Sequence, residues 1–444
     1  MSSNKLFAFV LVLVGALGCR PAQALPSYAD QTGVACSQCH TVAFGPALTA
    51  YGRLFKLNGY TFSKGSSSVP VAVMAVLGYN QTGADVPEAA PHFSTNDNLA
   101  LNELTGFFAG KITEHSGAFV EAAYSGIERN LAWGALDARY ARSFSLGSHS
   151  VVAGVTINNN PTVTDLWGST PVWSFPYTGS ELAPTPAAAP VLFDGISERV
   201  LGSTAYAMVD NHFYFEAGLY RALSDQLLSD VGLSADDNLH MRGVSPYWRA
   251  VYQFDKGSSS YSVGLLGLET RLRPDPTAAA TDRYSDVGAD ATWQYTDADH
   301  AISANFLYVN ERRHLGASFA NEESDSKSSH LDSLRIDGSY ALHQTWVAGA
   351  GWFNTTGSRN VALYAPAEVD GSASGSPDSR GYTLQLEYVP FGKQQSFHQP
   401  WVNLRVGLQY TGYQRFNGGS SNYDGAGRAA SDNDTLFAFV WAAL

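Results

Sequence analysis

Two cysteines and a histidine form the pattern in this chain that points most directly to chemistry. Cys36-Ser-Gln-Cys39-His40 matches C-x-x-C-H, the attachment pattern of c-type haem. In that chemistry both thiols add to the haem vinyl groups, and the adjacent histidine becomes the proximal ligand of the iron. The motif therefore predicts one covalent haem c on Cys36 and Cys39, with His40 bound to the iron.

A C-x-x-C pair has two other common uses. It can form a disulfide, redox-active or structural, or provide half of a zinc site. Zinc needs further ligands, and the chain has no second cysteine pair, since the third cysteine is Cys19 near the N-terminus. A thioredoxin-like disulfide would need a βαβ pattern around it, which is absent here. Haem is therefore the favoured interpretation.

The first residues have the features of a secretory signal, which covalent haem attachment in the periplasm requires. Lys5 supplies the positive charge, Leu6 to Leu17 form the apolar core, and Ala22-Gln23-Ala24 is a cleavage site. We predict a signal peptide over residues 1–24. No later segment has 18 consecutive apolar residues, so any membrane insertion must be as a β-barrel.

Composition agrees with a sheet that has one face in lipid and one in water. Only 15% of the residues are charged, against ~25% in typical soluble domains, while 45% are hydrophobic, and there are 42 glycines and 23 tyrosines. The net charge of −13 argues against nucleic acid, whose phosphates require basic patches.

From Val69 onward, apolar and polar residues alternate with the period of a β-strand. The pattern predicts sixteen strands near 69–80, 98–113, 116–126, 130–144, 147–158, 198–209, 211–223, 243–255, 258–271, 283–297, 299–312, 329–342, 344–357, 379–391, 399–414 and 433–444. Connections after odd-numbered segments are mostly long, and those after even-numbered segments are mostly tight. Outer-membrane barrels show this asymmetry, with short periplasmic turns and long extracellular loops.

We therefore predict an all-β protein, a transmembrane antiparallel barrel of about 16 strands. The barrel covers 69–444, and a short helical monohaem cytochrome segment covers 25–68. Chains of ~40 residues rarely build an adequate core alone, and the lumen of so large a barrel is wide enough for a plug. We expect the cytochrome segment in the periplasmic mouth or lumen of its own barrel.

The sixth position of the iron has several candidate ligands. Met74 falls on the lumen face of the first strand with Ala72 and Val76, and it is our first candidate. Met74 could equally be a flexible packing residue. Five-coordinate iron and a histidine near a periplasmic turn are the alternatives, the histidines being His115, His149, His212, His300 and His343.

The residues around the motif resemble a known family. Tyr28-Ala-Asp-Gln-Thr-Gly-Val-Ala-Cys36-Ser-Gln-Cys39-His40 and Pro46-Ala-Leu-Thr-Ala-Tyr-Gly-Arg53-Leu-Phe-Lys56-Leu-Asn-Gly-Tyr60 are similar to the fused outer-membrane cytochrome–porins of iron-oxidising bacteria and their relatives. The close resemblance covers about 45 residues, a length typical of one motif-bearing segment. The chain departs from the family pattern at Gly45, which separates Phe44 from Pro46, and at Ala50-Tyr51, where Pro-Phe is usual.

The resemblance implies roles for further residues. Arg53 and Lys56 would pair with the haem propionates, and two cations one helical turn apart suit a dianion. Phe44, Tyr51 and Phe55 would pack on the macrocycle. A solvated helix face and an ordinary apolar core are the alternatives for these two sets.

The resemblance also implies a function, in which single electrons pass from an extracellular donor such as Fe(II) through the haem to a periplasmic cytochrome c or cupredoxin. An Fe(II) oxidase activity would follow from this. The alternative is a porin whose haem-bearing plug acts in diffusive transport or redox sensing. A third hypothesis, a soluble periplasmic haem protein, requires that the protein be absent from the outer membrane.

Overall fold

A computed structural model describes residues 26–42, 44–65, 70–392 and 402–444. Sixteen strands form one closed antiparallel barrel, in which each strand pairs with its neighbours in sequence and the first pairs with the last. The predicted signal peptide lies outside the described residues.

The strands are β1 (Val71–Thr82), β2 (Asn98–Lys111), β3 (Ser116–Ser125), β4 (Asn130–Leu146), β5 (His149–Asn158), β6 (Val200–Val209), β7 (Phe213–Ala222), β8 (Ser245–Lys256), β9 (Ser259–Leu272), β10 (Asp282–Thr296), β11 (His300–His314), β12 (Ser328–Leu342), β13 (Trp346–Gly357), β14 (Ser379–Tyr388), β15 (Asn403–Arg415) and β16 (Thr435–Ala443). Each of the sixteen predicted segments overlaps one of them. The predicted fold class is therefore confirmed.

The helices are short. The α-helices are α1 (Pro26–Thr32), α2 (Cys36–Cys39), α3 (Ala50–Leu57), α4 (Asp225–Asp230) and α5 (Gly316–Ala320). Single turns of 3-10 or π-helix cover Pro161–Thr164, Pro171–Trp173, Val191–Gly195, Ala235–Asp237 and Ala430–Asn433. No helix in the part of the chain described has the length and hydropathy needed to cross a membrane.

The alternating pattern points successive side chains to the interior and to the outside of the barrel. In β16, for example, Phe437, Phe439 and Trp441 point to the interior and are almost fully buried. On the outer face, large apolar side chains such as Val263 and Leu265 are more than half exposed. An apolar outer surface of this kind is what lipid-facing strands present.

The two ends of the barrel differ. The connections at one end are mostly tight turns, such as 257–258 and 297–299, and those at the other end are mostly long. The longest, 159–199, folds into the lumen, where Trp167 Nε1 donates to Gln253 Oε1 at 2.9 Å and Gln409 Nε2 donates to the Thr178 carbonyl at 2.9 Å. We call this connection the inserted loop.

The N-terminal segment, residues 26–65, enters the lumen from the tight-turn end. The Tyr60 hydroxyl donates to Asp137 of β4 at 2.6 Å, and Tyr28 donates to the Ala118 carbonyl of β3 at 2.9 Å. The Lys111 amide donates to Gln31 Oε1 at 2.7 Å. These contacts hold the segment against the wall of β2 to β4.

Candidate functional site

The two cysteines of the C-x-x-C-H motif lie at either end of α2. Both thiols are free, with Cys36 buried and Cys39 half-buried. Asn403 Nδ2 of β15 lies 3.4 Å from Cys36 Sγ. Burial raises the pKa of both thiols, that of Cys39 to about 12. A single helical turn thus presents two protonated, unbridged thiols.

His40 follows α2 directly in extended conformation. Its amide donates to the Cys36 carbonyl at 2.9 Å, and its backbone bridges to Leu48. The ring atom Nδ1 is buried and has no hydrogen-bond partner in the described structure. Burial lowers the pKa of His40 to about 4, so the imidazole is neutral, the form that binds metals. These features fit an axial ligand.

Helix α3 packs on the motif at very short range. The Thr49 amide donates to the Cys39 carbonyl at 2.9 Å, and Thr49 Oγ1 caps α3 by accepting from the Gly52 amide at 3.2 Å. A Cβ atom at Gly52 would lie 2.2 Å from the Cys39 carbonyl oxygen. Only glycine permits this approach, so Gly52 fixes α3 against α2.

A cleft of about 900 Å³ opens between the motif and the tight turns of the barrel. The N-terminal segment lines it with Ser37, Gln38 and Tyr51, and the barrel lines it with the turns after β8, β10 and β12. His343 stands on its rim, its Nδ1 2.9 Å from Asp299 Oδ1. The volume is that of a cofactor-sized site.

The three aromatic residues predicted to contact haem occupy different places. Tyr51 lines the cleft. Phe55 is buried in the N-terminal segment, 4.9 Å from the Tyr28 ring. Phe44 packs on Trp441 of β16 with centroids 5.3 Å apart, beneath the Arg405 guanidinium. Of the three, Tyr51 alone lines this cleft.

The two predicted propionate partners contact the barrel instead. Arg53 donates to Gln294 Oε1 and Ser260 Oγ. Lys56 donates to the carbonyls of Val163 and Asp165 in the inserted loop, at 2.6 and 2.9 Å. Both side chains are buried. Their pairing with haem propionates stays a prediction.

Met74 faces the lumen, as its place in the alternation of β1 requires. It packs against two apolar clusters, one containing Val42 and Phe44 and the other containing Ala72 and Phe107. One of the two clusters thus also contains residues that follow His40 in the chain. Its predicted bond to iron, like the histidine alternatives, stays a prediction.

The inserted loop brings in a charged group that the sequence analysis did not identify. Arg249 of β8 lies 3.0 Å from Asp165 of the loop and 2.7 Å from Asp290 of β10, and all three side chains are fully buried. Ser169 Oγ also donates to Asp290, at 2.6 Å. We call Arg249, Asp165 and Asp290 the buried triad. It joins the inserted loop to the wall.

The contact between Lys56 and the inserted loop predicts a pH dependence. Burial, followed by repulsion from Arg139, lowers the pKa of Lys56 from 10.5 to about 7. The unfolded chain therefore binds more protons than the folded chain between these values, and stability rises with pH across that window. Below about pH 7, Lys56 is charged in both states and its contribution is constant.

We therefore expect the urea midpoint of the detergent-solubilised protein to rise between pH 7 and pH 10, and the K56M variant to lose part of that rise. K64M is the control variant, because Lys64 lies on the same segment but is exposed and pairs with Asp30 at 3.0 Å. An equal pH slope in wild type and K56M would contradict the assignment.

The fold is a sixteen-stranded antiparallel β-barrel whose N-terminal segment and inserted loop lie against its inner wall. Solved structures similar to this chain are outer-membrane barrels. OmpT of Vibrio cholerae is 10% identical, with 84% of this chain and 96% of that chain covered and a TM-score of 0.41. The anion-selective porin from Comamonas acidovorans is 13% identical, with 84% and 99% covered and a TM-score of 0.44.

OprB of Pseudomonas putida is 12% identical, with 84% of this chain and 92% of that chain covered and a TM-score of 0.46. No protein-family model matches the chain, and no curated protein matches it. Among the described residues, no group of three or more His, Cys, Asp or Glu side chains could hold a metal ion.

Proposed function

We propose that the chain is an outer-membrane barrel with its long loops outside the cell and its N-terminal segment on the periplasmic side. The asymmetry of the connections supports this orientation. The outward apolar side chains, such as Leu265 and Val287, support insertion in lipid. The predicted signal peptide supports export.

We also propose that Cys36 and Cys39 carry one haem c and that His40 is its proximal ligand. The free thiols on one helical turn, the neutral imidazole and the adjacent cleft all suit the group. Bound there, a haem would supply one-electron chemistry at the periplasmic mouth. The chain's own part is to hold α2 rigid through Thr49 and Gly52 and to cover one side of the cleft with Tyr51.

We propose single-electron transfer as the function, on the strength of the motif and of the family resemblance. The observation that carries it is a C-x-x-C-H motif at the mouth of a filled lumen. Arg139, Arg249 and Arg405 are fully buried inside the barrel. The N-terminal segment and the inserted loop are in contact there, because Lys56 donates to the inserted loop. Such contents would restrict diffusion through the lumen, which suits electron transfer better than solute transport.

The donor that the family resemblance favours is Fe(II), and the acceptor is a periplasmic cytochrome c or cupredoxin. We expect Fe²⁺, mixed rapidly with the oxidised protein in detergent, to produce the sharp α-band of a reduced c-type cytochrome. Dithionite is the control reductant. Reduction by dithionite but not by Fe²⁺ would contradict the proposal that Fe(II) is the donor. It would leave the cytochrome–barrel assignment intact.

A porin with a haem-bearing plug is the second candidate. The polar and charged inner wall favours it, because water-filled barrels have such interiors. Asn305, Gln385 and Gln409, for example, all point inward. Planar-bilayer conductance separates the two candidates. A channel of porin size in the wild type favours transport, and a closed barrel favours electron transfer.

A further inference from the structure

The outer wall of β9, β10 and β11 carries a cluster of cations close to the long-loop end. The strand register places Arg271, Arg283 and His314 side by side in one row. The next row toward the middle of the barrel consists of Glu269, Ser285 and Arg312. All these positions alternate with buried ones, so their side chains point away from the lumen.

A groove runs down the outer wall beneath these cations. Two rows further along, Ala289 stands between Leu265 and Tyr308, so a small side chain forms the floor and two large ones form the sides. Leu265 is 53% exposed and Tyr308 38% exposed. The groove has a volume of about 680 Å³, and its upper end is lined by Arg283 and Arg312.

Acidic side chains offset only part of the positive charge. Glu269 lies 2.6 Å from Arg283 and 3.6 Å from Arg271. The Arg312 guanidinium makes no hydrogen bond or ion pair with any residue that the structure describes. Asp332 lies nearby on β12, and its carboxylate accepts from the Tyr308 hydroxyl and Asn310 Nδ2. The cluster thus keeps a positive excess in a chain whose net charge is −13.

Arg283 and Arg312 can reach one anion together. They are diagonal neighbours on adjacent strands, and such positions lie roughly 7–8 Å apart. Guanidinium groups bind phosphate oxygens bidentately. Long cationic side chains at a membrane boundary also extend toward the headgroup layer while their stems stay on apolar surface.

We propose that this groove binds a phosphorylated lipid of the outer leaflet, with an acyl chain along Leu265, Ala289 and Tyr308 and a phosphate between Arg283 and Arg312. This inference depends on the membrane orientation in the proposed function but not on the haem. Basic clusters at membrane surfaces recognise anionic headgroups by the same charge complementarity. The lipid would form an annular contact on one side of the barrel.

Native mass spectrometry of the detergent-purified protein tests this proposal, with bis-phosphorylated lipid A as the probe. We expect the R283A/R312A variant to bind the probe at least about tenfold more weakly than the wild type, because two charge-assisted contacts are lost. R221A/R380A is the matched control, since both arginines are exposed and lie at the long-loop ends of β7 and β14. It should bind like the wild type.

Two further probes identify what the site recognises. Equal binding of dephosphorylated lipid A would overturn the proposal, because the arginines would then contribute nothing. Inorganic phosphate binding as tightly as lipid A would overturn it too, because the acyl groove would be irrelevant. Heat-dependent gel mobility reports barrel folding, and protease cleavage of the long loops on intact cells reports orientation. A failure of the proposed orientation is thereby distinguished from a failure to bind lipid.

Discussion

A C36A/C39A variant is expected to fold as a barrel and to carry no covalent haem. The two thioether bonds can form only at these thiols, since the sole remaining cysteine, Cys19, lies within the predicted signal peptide. Haem-stained denaturing gels and pyridine-haemochrome spectra measure the loss, which we expect to be complete. The single variants should retain haem in reduced amount.

Q38A is the matched control, because it changes one of the two residues between the cysteines and leaves C-x-x-C-H intact. It should retain haem at the wild-type level. Covalent haem in the double variant would contradict the assignment of Cys36 and Cys39. A wild-type protein without haem, in which the two thiols instead form a disulfide, would contradict the cytochrome proposal itself.

The second large effect is expected at the buried triad. An R249M variant leaves Asp165 and Asp290 buried without their cation, a change that costs about 3–5 kcal/mol. The Trp167 amide donates to Asp165 at 2.9 Å and that of Thr170 does so at 3.0 Å, so both report on the loop. We expect their hydrogen exchange to accelerate by about 10²–10⁴-fold.

Two controls accompany R249M. R221M replaces an exposed arginine of β7 and should leave exchange in the inserted loop unchanged. The D165N/R249M/D290N variant removes all three charges together, and its exchange should return close to that of the wild type. Unchanged exchange in R249M would show that the triad does not hold the loop. If R249M fails to fold while D165N/R249M/D290N folds, the uncompensated charges of Asp165 and Asp290 account for the failure.

The strands could be predicted from the sequence because their signal is local. Alternation along β10, with Val287 and Trp293 outward and Asp286 and Asp290 inward, follows from one short stretch of chain. The tight turns after even-numbered strands then indicated which end of each strand lies on the periplasmic side. The closed topology then followed, since a sheet of this length in lipid has to close.

The contents of the lumen could not be predicted in the same way. Lys56 and Val163 are partners although 107 positions separate them, and Arg53 and Gln294 are separated by 241. No local pattern indicates such pairs. Arg53 and Lys56 were therefore assigned to a haem by resemblance, while the structure shows polar partners for both in the barrel and the inserted loop.

The insertion of 159–199 into the lumen was not predicted either. Its many Pro, Thr and Ser residues are typical of a loop, whereas its aromatic residues, such as Trp167 and Phe175, are the signal in the sequence that favours burial. The charges that hold it belong to β8 and β10, far along the chain. Asp165 indicates that the loop is inserted only once the fold shows that its partner is Arg249.

The burial of Cys36 against β15 has a consequence for how the protein matures. Asn403, which contacts the Cys36 thiol, belongs to the strand that pairs with β16, and β16 closes the ring on β1. Once that seam has formed, the thiol is covered on the wall side. The haem proposed at Cys36 would therefore be attached more readily before the last strands assemble, which would place cofactor loading ahead of closure of the barrel.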